Sequence, residues 1–148
     1  MSTNGVPTPT DDEHRRPDGL DDATVDALGK ISKALETIER ARGHLYAWHQ
    51  LTGTADFELD AAVELLRQAG HKEWAERIER ELIGRNVLEG RWTFQVMEEY
   101  DDGYYSAFRH TENAVRDDLA GGRRHLFEAE LKMKRRTEGQ PGHEIGPT

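Results

Sequence analysis

Residues 71–100 read HKEWAERIERELIGRNVLEGRWTFQVMEEY and contain no proline. Wound as one α-helix at about 100° per residue, this segment carries two apolar stripes on opposite sides. The first stripe contains Trp74, Ile78, Leu82, Leu88, Trp92 and Val96, and the second contains Ile83, Val87, Phe94 and Met97, with Gly90 among them. The pattern predicts one long helix. Gly84 and Gly90 are the points where it would break instead, because glycine is unfavourable inside a helix.

The sequence before this segment predicts two more helices. The first begins within residues 21–24, where aspartate and threonine suit the N-cap, and ends at the Thr-Gly-Thr of residues 52–54. The second spans about 55–69 and ends at Gly70, a residue type favoured just after a helix. Its buried side is expected to contain Phe57, Ala61, Ala62, Leu65, Leu66 and Ala69.

A fourth helix is predicted after the turn at residues 101–103; Gly121 and Gly122 interrupt it before a weaker piece over 123–136. No segment has the pattern of a β-strand. The predicted fold class is therefore all-α, an antiparallel bundle of three to four helices with a long third helix. The bundle occupies 21–136 as one domain. Residues 1–20 and 137–148 are rich in glycine and proline and predict disordered tails.

Composition narrows the classes of function. The 148 residues carry a net charge of −9, which argues against a nucleic-acid surface, since phosphates are held by clustered lysine and arginine. Cysteine is absent, which excludes disulfides and thiolate metal sites. No apolar run reaches the length of a membrane span and no signal peptide is evident, so a soluble cytoplasmic protein is expected without membrane partners.

Each helix of a monomeric four-helix bundle buries one face, so it requires one apolar stripe. The second apolar stripe of residues 71–100 would therefore have no partner within the same chain. The spare stripe predicts a homodimer, with Ile83, Val87, Phe94 and Met97 at the interface and Gly90 allowing close approach. The alternative is a bend at Gly84 or Gly90, which would rotate the stripes and remove this face.

Charged side chains interrupt the apolar stripes, where burial is costly. Arg42 and His49 lie on the apolar face of the first helix, and Glu81, Arg85 and Glu89 lie within the first stripe of 71–100. Glu99 belongs to the same stripe, and Thr111 and Glu112 fall beside apolar residues of the fourth helix. Three explanations stay open: exposed pairs four residues apart, a buried network that fixes helix register, or a ligand pocket that uses these residues.

Motifs for catalysis and metal binding are not found. No Glu-x-x-His or His-Glu-x-x-His occurs, and no serine lies in a Gly-x-Ser-x-Gly turn. No catalytic residue, metal ligand or cofactor can be assigned. The acidic, tyrosine-rich run 98–105 reads as a helix junction or, alternatively, as a surface for a basic protein partner.

Two functional hypotheses follow. The first is a non-enzymatic helical interaction protein that forms homodimers through helix 71–100. The alternative is a helical bundle that binds a small ligand or metal, and is possibly an enzyme, with a polar cluster between helices formed by Arg42, His49, Glu81, Arg85 and Glu89.

Overall fold

A computed structural model describes residues 13–145 of the chain and confirms the all-α fold class. Within this range five α-helices are joined by turns and one π-helical turn. Their bounds are α1 Asp22–Gln68, α2 Lys72–Glu81, α3 Thr93–Tyr100, the π-turn Asp101–Tyr105, α4 Ser106–Ala120 and α5 Leu126–Arg135. The tail predictions for residues 1–12 and 146–148 lie outside the described residues. None of the helices in 13–145 combines the length and the apolar character needed to cross a membrane.

The prediction that residues 52–54 end the first helix is wrong, because α1 continues through them to Gln68 and is 47 residues long in all. The two threonines are accommodated by hydrogen bonds to the helix itself. The Thr52 hydroxyl donates to the Trp48 carbonyl at 2.7 Å, and the Thr54 hydroxyl donates to the Gln50 carbonyl at 3.0 Å. Threonine can therefore stay inside a helix without acting as a cap.

The end of α1 matches the sequence prediction at Gly70. This glycine has a φ of +86°, its N–H donates to the Arg67 carbonyl, and the next N–H, of His71, donates to the Leu66 carbonyl. These two bonds satisfy carbonyls that the helix end leaves without partners, and the left-handed conformation costs glycine little.

The prediction of a continuous third helix over 71–100 is wrong. The segment forms α2, a loop over 82–92 and the short helix α3. Gly84 and Gly90 adopt φ values of +73° and +68°, which stop a right-handed helix at both positions. The loop is held from both sides: the Asp56 carboxylate accepts the Gly84 N–H at 2.9 Å, and the Gln95 side chain accepts the Trp92 N–H at 2.9 Å as α3 begins.

Contacts within the chain group the described residues into two compact units. One contains 13–37 and 108–145, and the other contains 38–107; α1 contributes to both. The core of the first unit is formed by Val25, Ala120 and Leu126, which are at most 4% exposed. Gly121 and Gly122, both at positive φ, separate α4 from α5, which confirms the predicted interruption.

In the unit of residues 38–107, α1 runs antiparallel to the segment of α3 and the π-turn. Three side-chain contacts show this direction: Glu39 with Tyr105, Arg42 with Asp101, and His49 with Thr93. As the residue number increases along α1, the residue number of the contacted partner decreases. The buried side chains of this unit are Val63, Ala75 and Met97. Phe57 and Leu65, expected on the buried side, are 76% and 64% exposed, because the buried face of α1 passes through Val63 instead.

Candidate functional site

Arg42 anchors the π-turn to α1. Its guanidinium donates two hydrogen bonds to the Asp101 carboxylate, at 2.8 and 3.0 Å, and lies 5.2 Å from the centre of the Tyr105 ring. The Tyr105 hydroxyl in turn donates to the Glu39 carboxylate at 2.8 Å. The paired fork geometry is the strongest form of an arginine–carboxylate bond. Arg42 therefore has a structural partner on its own chain, which the sequence did not identify.

The Asp101 carboxylate is stabilised in its charged form. The hydrogen bond from Arg42 lowers the pKa of Asp101 below its ordinary value of 3.8, and the same bond raises the pKa of Arg42. Both side chains are about one third exposed, so solvent weakens the pair. A lowered pKa in the folded state means that the pair stabilises the fold above pH 3.8 and stops doing so as the pH falls through the folded-state pKa.

Asp101→Asn is expected to lower the free energy of unfolding at neutral pH by about 0.5–1 kcal/mol. The difference from the wild type should shrink as the pH falls below the ordinary aspartate pKa, because the wild-type carboxylate then takes up a proton. Denaturant titration at pH 7 and at a series of acid pH values measures this. Asp102→Asn, at the exposed neighbouring position, is the matched control; an equal effect of both variants would contradict the assignment.

His49 joins α1 to the start of α3. Its Nδ1 lies 2.7 Å from the Thr93 hydroxyl, and its ring meets Tyr46 edge-on with 6.0 Å between centroids. The ring is half-buried. Because Thr93 is the first residue of α3, this contact fixes where the loop 82–92 rejoins α1.

The three charged residues that the sequence placed within the first apolar stripe of 71–100 lie at the surface: Glu81, Arg85 and Glu89. Glu81 accepts a hydrogen bond from Arg77, four residues earlier, at 3.0 Å, and this bond lowers the pKa of Glu81. The explanation by exposed helical pairs therefore applies to Glu81, although its partner is Arg77 and not Arg85. The five residues proposed for one polar cluster are divided between contacts of α1, the end of α2 and the loop.

The residues predicted to form the dimer interface do not share one helix face, since the helix that defined that face is broken. Met97 is only 6% exposed, Ile83 and Val87 are half-buried, and Gly90 lies in a turn. Phe94 is 41% exposed and packs edge-on against Trp92, with 5.3 Å between ring centroids. Whether these residues contact a second copy stays a prediction.

A cavity of about 760 Å³ lies between α1 and the loop that replaces the predicted helix. On the α1 side its wall is formed by five residues: Thr52, Gly53, Ala55, Asp56 and Leu59. On the loop side it contains Arg85 and Val87, and Trp92 and Thr93 also line it. Arg85 thus lines this cavity. His49 does not line it, but it contacts the hydroxyl of Thr93, which does.

In the other unit, two buried carboxylates are paired with arginines. Glu112, 7% exposed, binds Arg116 at 3.1 Å and accepts a hydrogen bond from Ser32. Glu130, 8% exposed, binds Arg16 at 2.7 and 3.0 Å. Glu112 was identified by its position on an apolar stripe. Glu130 was missed, although its spacing from Leu126 and Met133 places it on the apolar face of α5 in the same way.

Within residues 13–145, no group of three or more histidine, aspartate or glutamate side chains is arranged to hold a metal ion. Comparisons with protein-family models, with curated proteins and with solved structures find no match to this chain.

Proposed function

We propose that this protein is a non-enzymatic interaction protein that forms a homodimer through the unit of residues 38–107. One observation carries the proposal. Among the described residues, every large apolar side chain that is at least half exposed belongs to this unit: Leu51, Phe57, Leu65, Trp74, Leu82, Leu88, Trp92 and Tyr104. Exposed apolar surface of this extent on a small unit is typical of a protein–protein contact surface.

The most regular part of this surface lies on α1. Trp48, Leu51, Ala55, Glu58, Ala62 and Leu65 follow one another at alternating spacings of three and four residues, the spacing of a coiled-coil seam. We call these six residues the α1 outer face. They lie on the side of the helix away from His49, Asp56 and Val63, which contact or pack within the same unit. Leu51 and Leu65 of this face are 67% and 64% exposed.

The sizes of the side chains on the α1 outer face favour an antiparallel pair of copies. With Leu51 of one copy opposite Ala62 of the other, Trp48 lies opposite Leu65 and Ala55 opposite Glu58. A large side chain then faces a small one in the Leu51–Ala62 and Ala55–Glu58 layers, so the two helices can approach closely over the middle of the seam, and the large Trp48 and Leu65 meet at its two ends.

Charge favours the same orientation. A parallel pair in register would place Glu58 of one copy against Glu58 of the other in the middle of the seam, and like charges at such a position are destabilising. The antiparallel register places each Glu58 beside an alanine and separates the two carboxylates. A second copy of this chain, in antiparallel orientation, is therefore the partner that the α1 outer face fits best.

The test measures molecular mass by light scattering and sedimentation equilibrium between about 1 and 100 µM, since association depends on concentration. We expect a mass of twice 16.9 kDa at the upper end. Leu51→Asp should weaken the dimer roughly 30-fold, because each of its two copies loses about 1 kcal/mol of apolar contact.

Two variants serve as controls. Phe57→Asp changes an even more exposed apolar residue on another side of α1 and should leave the dissociation constant unchanged. Phe94→Asp tests the interface predicted for residues 71–100: it should have no effect if the α1 outer face forms the dimer, whereas weakening by Phe94→Asp and not by Leu51→Asp would favour the interface at Ile83, Val87, Phe94 and Met97. A strictly monomeric wild type at about 100 µM, or equal weakening by Leu51→Asp and Phe57→Asp, would refute the proposal.

A further inference from the structure

The cavity between α1 and the loop has the dimensions of a small-molecule site. Its volume of about 760 Å³ falls within the range of roughly 300–1,000 Å³ that is usual for ligand pockets. Ala55 and Leu59 provide an apolar wall from α1, and Leu82 and Val87 provide one from the loop. The loop is fixed by the bond from the Gly84 N–H to Asp56, so this surface exists before any ligand arrives.

Arg85 gives the cavity a cationic group, and within the chain its charge makes one of the smaller contributions to the lowered pKa of Glu81. Its guanidinium makes no ion pair or side-chain hydrogen bond with any other residue of 13–145, whereas Arg42, Arg67 and Arg77 are all paired. The acidic residue of the wall, Asp56, directs one carboxylate oxygen to the Gly84 N–H. The planar fork of an arginine binds a carboxylate, sulfonate or phosphate through two parallel hydrogen bonds. The neighbouring Asn86 adds amide donors on the same wall.

Trp92 provides an aromatic surface in the lining of the cavity. It is 57% exposed, and the edge-on contact with Phe94 holds the orientation of its ring. Aromatic side chains gain most from planar, apolar partners that stack on the ring face or approach it edge-on. The cavity therefore combines an aromatic surface, aliphatic walls and one cation.

We propose that this cavity binds a small organic anion with a planar apolar body, whose anionic group pairs with Arg85 and whose body packs against Trp92, Leu59 and Leu82. The apolar body gains free energy from leaving water, and the anionic group fixes the orientation of the ligand. This binding site does not require the proposed dimer, since all of its lining residues belong to one copy of the chain; among them Ala55 is the one that also belongs to the α1 outer face.

The test uses 1-naphthoate as the probe and 1-naphthamide as its uncharged analogue, with binding to the full chain measured by isothermal titration calorimetry. We expect 1-naphthoate to bind, and we expect the affinity of 1-naphthamide to be lower by at least roughly tenfold, because the amide cannot form the charge-assisted pair. Arg85→Gln should remove this preference and leave the affinity for 1-naphthamide unchanged. Trp92→Ala should weaken the binding of both compounds, because both stack on the same ring.

Arg91→Gln is the matched control, because Arg91 is an exposed arginine of the same loop that pairs with Glu99 and does not line the cavity. Repeating the titration with the Leu51→Asp variant separates ligand binding from self-association, since loss of the dimer should leave 1-naphthoate binding intact. The proposal is overturned if 1-naphthoate does not bind below about 1 mM. Equal affinities for the two compounds, or equal losses in Arg85→Gln and Arg91→Gln, would also overturn it.

Discussion

Leu126→Ala is expected to lower the free energy of unfolding by about 3 kcal/mol. Leu126 is 4% exposed and packs with Val25 and Ala120 in the core of the unit that contains 13–37 and 108–145. The substitution removes the buried side-chain atoms and leaves a cavity that the rigid helical neighbours fill only in part. This core has few buried apolar residues, so the loss of one is a large fraction of its apolar contacts.

The measurement is urea denaturation followed by far-UV circular dichroism, which reports helix content in both units. Tryptophan fluorescence is a useful second signal, because all three tryptophans, Trp48, Trp74 and Trp92, lie in residues 38–107. Leu131→Ala, in the same helix at a position that is 44% exposed, should cost less than about 1 kcal/mol. An effect of Leu126→Ala no larger than that of Leu131→Ala would contradict the core assignment.

Glu112→Ala is expected to have the second largest effect, a loss of about 3 kcal/mol. The Glu112 and Arg116 side chains are 8% and 17% exposed, and Ser32 donates a further hydrogen bond to the carboxylate at 3.3 Å. Removing the carboxylate leaves the Arg116 guanidinium largely buried without its charge partner. The cost comes mainly from this unpaired cation and not from the loss of an intrinsically strong bond.

Two further variants distinguish this explanation from a general effect of changing α4. Asp118→Ala removes an exposed carboxylate of the same helix and should change the free energy of unfolding by less than about 0.5 kcal/mol. The double variant Glu112→Ala with Arg116→Met should be more stable than Glu112→Ala alone, because the unpaired cation is gone. Failure of the second substitution to recover any stability would argue against the buried pair.

The candidate site was partly readable from the sequence. The sequence places three charged or polar residues on apolar helix faces: Arg42, His49 and Glu112. Because burial of such a residue without a partner is costly, each of them is predicted to have a hydrogen-bond or charge partner. The partner of Glu112 was within reach of sequence reasoning, since Arg116 lies four residues later on the same helix. The partner of Arg42 was not, since Asp101 is 59 residues away and no local pattern links them.

The sequence by itself determined the all-helical class and the ends of helices at Gly70 and Gly121, because these depend on local periodicity and on the left-handed conformation that glycine tolerates. Only the tertiary structure decided the segments 52–54 and 71–100. Thr52 and Gly84 are each compatible with a helix and with a turn, and the energy difference between these local states is about 1 kcal/mol or less. A long-range bond such as that from the Gly84 N–H to Asp56 contributes on the order of 1 kcal/mol, which is enough to favour the turn within 71–100. At 52–54 the hydroxyls of Thr52 and Thr54 bond instead to carbonyls of α1 itself, and the helix continues.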